Sequence, residues 1–207
     1  MRPPVAQLFQ VHPHDRHGTW ESNDGRYRTY AHELLSELET LSQQVLVAWP
    51  ANAGASISNP TDHPDLQALT RKRDRASDTT RIYAAMAIEG FLNFYGVLRL
   101  GHAVYDDHFE RLGIVPKVRQ LLLVCDGLAI SKSHALCVNA DAVAQSRNRL
   151  VHPKALEVVG DPRNHVRSDT KIPEAARKSA AAMESFFSEF ISAVPAARPH
   201  IERGSVA

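Results

Sequence analysis

Residues 82–101, IYAAMAIEGFLNFYGVLRLG, are apolar or small at almost every position. A run this long, without the strict alternation of a half-buried strand, predicts a helix, and a helix apolar nearly all round is buried on most sides. A basic stretch, RKRDRASDTTR (71–81), leads into it. On the amino-terminal side, TYAHELLSELETLSQQVLV (29–47) places Leu34, Leu35, Leu38, Leu41 and Val45 at three- and four-residue steps. That spacing predicts an amphipathic helix opened by Thr29. Between the two lies AWPANAGASISNPTDHP (48–64), a loop by its Pro, Gly, Ser and Asn content and the best candidate boundary in the chain.

Beyond the central run the helices continue. VYDDHFERLG (104–113) reads as a short helix ending at Gly113, and VPKVRQLLLVCDG (115–127) as another, with Pro116 in its first turn and Gly127 as its stop. SHALCVNADAVAQSRNRLVH (133–152) is a longer helix ended by Pro153. After a polar loop (160–171), the last helix carries Ala176, Ala180, Met183, Phe187, Phe190, Ile191 and Val194 as one stripe. The sequence therefore predicts an all-α bundle of four to five helices with an amino-terminal helical extension. Its expected organisation is an arm and extension over residues 1–73, a helical domain over 74–195 and a tail over 196–207.

Composition narrows the function. The 207 residues, 43% of them hydrophobic, suffice for one ordinary domain with some decoration. Twenty-four Lys and Arg against 23 Asp and Glu leave a formal charge of +1, so any site for a polyanion is local. No apolar run approaches the roughly 18 residues of a membrane span, and the first 20 residues lack a signal-peptide core. A soluble, cytoplasmic protein is expected. Cys125 and Cys137 form no CxxC pair and suit small buried hydrophobes. His12, His14 and His17 lie in an irregular arm with no second ligand cluster, and Asp106, Asp107, His108 and Glu110 read as dipole-capping residues of a helix start. No metal or cofactor is expected.

One helix breaks its own pattern. Measured from Leu136 at about 100° per residue, Ala140, Val143 and Leu150 fall near the same direction, and Arg147 lies about 20° from it, inside the apolar stripe. An unpaired charge there would cost several kcal/mol or more, so Arg147 requires a partner. On the central run, Glu89 and Asn93 share a face with Ile82, Met86, Gly96 and Leu100. A buried Arg147–Glu89 pair completed by Asn93 is one reading, purely structural. The other takes in Asn148 and His152, four apart, with the proline letting His152 turn toward Arg147. An arginine for phosphate oxygens, an amide and a histidine are the parts needed for phosphodiester cleavage.

These residues resemble the HEPN (higher eukaryotes and prokaryotes nucleotide-binding) family. SRNRLVHP (146–153) is similar to its Rx4–6H motif, with Arg147 as the arginine, Asn148 as the polar residue after it and His152 as the histidine. AIEGFLNFYG (87–96) is similar to the helix that precedes the motif in that family, and the resemblance covers roughly residues 75–195. It implies a metal-independent endoribonuclease with a composite site across a homodimer. His152 would then serve as general base or acid, Arg147 would stabilise the transition state, and Asn148 would orient the histidine or a phosphate oxygen. It also implies possible toxin, defence or stress roles, with an antitoxin or regulatory protein as partner. RNA would be held by local cations: Arg149 and Lys154 beside the motif, with Arg71, Lys72, Arg73 and Arg75 expected instead to form a solvated basic helix end. A non-catalytic HEPN-like module that binds a protein or nucleotide partner is the alternative.

Overall fold

The computed structural model describes residues 22–48, 64–152 and 171–202. They form α1 (Asp24–Ala48), α2 (Pro64–Leu100), α3 (His102–His108), α4 (Ile114–Asp126), α5 (Ala135–Val151), α6 (Lys171–Ala193), a 3-10 turn (Pro195–Ala197) and α7 (Arg198–Glu202). No strand occurs among the described residues, and none of their helices is long and apolar enough to cross a membrane. His12, His14, His17 and Lys154 lie outside the described residues.

α2 is the spine. At 37 residues it is far longer than its apolar run, because apart from Leu66 its first half buries small and hydrogen-bonded groups rather than large apolar ones. Ser77 donates to the Ile172 carbonyl of α6 at 2.8 Å, and Thr80 donates to the Ala76 carbonyl at 2.8 Å. The helix runs unbroken through residue 73, so α1 and the domain beyond it share one scaffold. α1 lies antiparallel along it: Asp24 abuts Gly90, Tyr27 stacks on Tyr83, and Val45 meets Leu66.

Aromatic side chains join α2 to α6. Phe91 meets Phe190 edge-on at 4.8 Å and Phe187 at 5.5 Å, while Tyr95 meets Phe190 at 5.1 Å. α4 and α5 close the core with Leu121, Leu122, Leu136, Ala140 and Val143. The tail expected from residue 196 onward contributes Ala197 and Ile201 to the same core. Arg99 ties α2 to α4: it donates to Tyr95 Oη and to Asp126 Oδ1, each at 2.6 Å, and to the Cys125 carbonyl.

The end of α4 is as the sequence indicates, and α5 starts within two residues of the expected position. Gly127 ends α4 in the left-handed region at φ 68°, and its N–H donates to the Leu123 carbonyl at 3.1 Å. His134 caps α5 through Nδ1, which accepts from the Leu136 N–H at 3.3 Å. Two other boundaries differ. α1 opens at Asp24, where Ser22 Oγ accepts the Asp24 N–H at 3.2 Å; Thr29 lies inside the helix and donates back to the Gly25 carbonyl at 3.1 Å. The short helix α3 ends at His108 and has no acidic residue in its first turn. Asp106 therefore pairs with His102 one turn back, at 3.0 Å, instead of capping a helix start.

Gly96 shows how closely α3 is set against α2. A Cβ there would sit 2.3 and 2.5 Å from Tyr105 ring atoms, and Tyr105 is itself fixed by its hydroxyl, which donates to Asn93 Oδ1 at 2.6 Å. Gly96→Ala is expected to destabilise the protein by roughly 1–3 kcal/mol, the cost of overpacking, despite alanine's better helix propensity. Urea unfolding should show a lower midpoint at unchanged slope.

Candidate functional site

The residues of interest converge where the carboxyl-terminal end of α5 passes α2. The buried stripe of α5 is Leu136, Cys137, Ala140 and Val143, and burial stops there. One turn on, the helix emerges at the edge of the bundle. The Arg147 side chain is accordingly 34% exposed rather than buried, and its Nη2 lies 3.6 Å from Oε2 of Glu89, which is 49% exposed. The expected pair forms as an open ion pair, not a buried one. At such exposure it contributes at most about 1 kcal/mol.

Asn93 does not complete that pair. Its Oδ1 accepts from Tyr105 Oη at 2.6 Å and from Lys117 Nζ at 2.8 Å, so it serves the α2–α3–α4 junction instead. The face it shares with Glu89 is packed at Gly96, against Tyr105, and open at Met86 and Glu89, where it forms a wall exposed to solvent. That wall borders a cleft of about 520 Å³, whose lining includes Tyr27, Glu89, Asn93, Phe94, Asp106 and Glu110. Burial, then Glu110, Glu89 and Asp106, raise the Tyr105 phenol well above its ordinary pKa. Lys117 is buried and bonded also to the Glu110 carbonyl, and burial lowers its pKa. Arg147, Asn148 and His152 do not line this cleft.

Asn148, Arg149 and His152 are all exposed on the last turn of α5. His152 sits at the helix cap with φ −128° and ψ 62°, and its N–H donates to the Asn148 carbonyl at 2.9 Å. Among the described residues no side-chain hydrogen bond joins Asn148 to His152. Arg147, Asn148, Arg149 and His152 thus occupy two open turns of helix, with Glu89 reaching across from α2.

Three other expectations can be placed. Arg71, Lys72, Arg73 and Arg75 lie within α2, not at its end; Arg73 is buried and donates to Asp74 Oδ1 at 2.8 Å, while the other three are exposed. Cys125 and Cys137 are buried and free, and burial pushes the Cys125 thiol up to about 12. No trio of His, Cys, Asp or Glu among the described residues is arranged to hold a metal ion. Comparisons of the chain with protein-family models, with curated proteins and with solved structures find no match.

Two further groups, Lys117 and Arg81, are buried cations that the sequence reading above does not single out. Lys117 falls in the stripe of Ile114, Val118, Leu121 and Cys125, the same kind of misplacement that marks Arg147. Arg81 is a buried guanidinium whose Nε donates to Ser146 Oγ at 2.8 Å and whose Nη2 donates to the Ser146 carbonyl at 2.7 Å. It is hidden in the sequence because two of its acceptors, a serine hydroxyl and a backbone oxygen, lie on a distant helix, the third being Asp78 one turn back.

Proposed function

We propose that this protein is a metal-independent endoribonuclease of HEPN type, built on a HEPN-like bundle and acting as a homodimer with a composite site. The observation that carries the reading is the open placement of Arg147, Asn148 and His152 on the end of α5, with Arg147 held among the described residues by an ion pair at 3.6 Å. A phosphate can replace the Glu89 carboxylate on that guanidinium, since both are planar-fork partners and phosphate contacts are charge-assisted hydrogen bonds. His152 then removes the proton of an RNA 2′-hydroxyl as it attacks the adjacent phosphorus, or protonates the leaving 5′-oxygen. Arg147 stabilises the added negative charge on phosphorus, and Asn148 orients the histidine or a phosphate oxygen. Exposed Arg149 extends the cationic strip along the RNA backbone. A neutralising or regulatory protein partner, a toxin, defence or stress role and a cytoplasmic setting belong to the same reading.

The test is cleavage of mixed-sequence single-stranded RNA by the purified protein in excess EDTA, with analysis of the product ends. Cleavage leaving 2′,3′-cyclic phosphate or 3′-phosphate and 5′-hydroxyl ends is the expected result, together with a mass of two chains by light scattering. The Arg147–Glu89 contact favours a second reading, a non-catalytic HEPN-like module in which that pair is structural. RNA binding without cleavage, or neither, supports it.

A further inference from the structure

We infer that Arg81 is a positioning residue for the motif: through Ser146 it fixes the rotation of the end of α5 and so aims Arg147 and His152. The assignment rests on the ribonuclease reading for its purpose, though not for its geometry. Three helices meet at one hydroxyl. Arg81 on α2 donates to Ser146 Oγ at 2.8 Å, and Ser179 on α6 donates to the same atom, also at 2.8 Å. A second arm of the guanidinium takes the Ser146 carbonyl at 2.7 Å, and the third nitrogen reaches Asp78 Oδ1 at 3.3 Å.

Ser146 is the residue immediately before Arg147. Within a helix a side chain's direction follows from that of its neighbour, about 100° per residue, so turning Ser146 inward onto Arg81 sets where Arg147 and Asn148 point. The clamp comes where core packing has ended, because α5 buries nothing fully after Val143. A guanidinium at the carboxyl-terminal part of a helix also opposes the negative end of its dipole. Burying a charged group to hold a serine is costly for stability alone, since a small apolar residue could pack there. The bidentate grip gives what an apolar contact does not, a fixed azimuth.

The experiment compares wild type with Arg81→Lys, Arg81→Met and Ser146→Ala as full-length proteins. Amide hydrogen exchange at Leu150, Val151 and His152 is followed by NMR, with Phe187 of α6 reporting global opening. Positioning predicts that Arg81→Met speeds exchange at the end of α5 roughly tenfold more than at Phe187, with Arg81→Lys in between because an ammonium cannot grip both acceptors. If Arg81→Met does not fold, Ser146→Ala carries the same comparison. Equal acceleration at Phe187 and at the three α5 amides overturns the inference. On an active enzyme, Arg81→Lys and Ser146→Ala should lower kcat about 10²-fold with little change in KM, the signature of displaced catalytic groups. Unchanged kcat overturns it as well. Wild type that cuts no RNA yet shows the local exchange effect removes the ribonuclease reading and leaves the clamp standing.

Discussion

With His152 replaced by alanine, the protein should fold and unfold as wild type does while RNA cleavage falls about 10²–10⁴-fold, the contribution of a positioned general acid or base. The stability half of this result follows from where the residue sits. His152 is exposed at the end of α5, and its hydrogen bond to Asn148 is made by the backbone N–H, which alanine retains. Surface substitutions of that kind change stability by no more than about 0.5 kcal/mol. The catalytic half follows from chemistry, because His152 is the one side chain at the end of α5, among Asn148, Arg149, Leu150 and Val151, of a type that serves as general acid or base. Single-turnover cleavage and thermal unfolding of the two proteins, measured side by side, separate the outcomes. Equal rates in both would remove His152 from catalysis, and a large loss of stability would make its role structural.

The all-helical class was legible because its signals are local. Gly127, Pro116 and the stripe of α6 act within a few residues, and the structure places them as read. The first half of α2 was not, since Ser77, Thr80 and Arg81 are buried through hydrogen bonds and a count of apolar positions passes over them. Arg147 illustrates a different limit. Angular arithmetic gives the face of a helix on which a residue lies, but not how far the neighbouring helices extend beside it. Arg147 does face α2, as its pair with Glu89 requires, yet beyond Val143 that face has run out of core. Asn93 marks a third limit: sharing a face with Glu89 could not reveal that Tyr105 and Lys117 would compete for its oxygen from elements outside α2.

The Arg147–Glu89 pair allows the catalytic and structural readings to be separated by one pair of substitutions. Arg147→Ala is expected to lower cleavage about 10²–10³-fold, as loss of a transition-state charge stabiliser does. Its cost in stability should stay below about 1 kcal/mol, because the partners are a third and a half exposed and stand 3.6 Å apart. A structural role requires the reverse: removing one member of a buried pair would cost about 3–5 kcal/mol and leave RNA chemistry untouched. Glu89→Gln sharpens the contrast. It keeps the shape of the side chain and removes the charge that competes with phosphate for Arg147, so KM for RNA should fall while stability holds. Were Glu89 instead essential to the fold, the same substitution would unfold the protein at lower urea and weaken RNA binding with it. The geometry favours the first outcome. A carboxylate at 3.6 Å in a solvated setting attracts a guanidinium by only about 1 kcal/mol, whereas hydrogen bonds from charged groups to phosphate contribute roughly 1.5–3 kcal/mol each. On the proposed reading, Glu89 orients Arg147 in the free protein and gives way to the phosphate of a bound RNA.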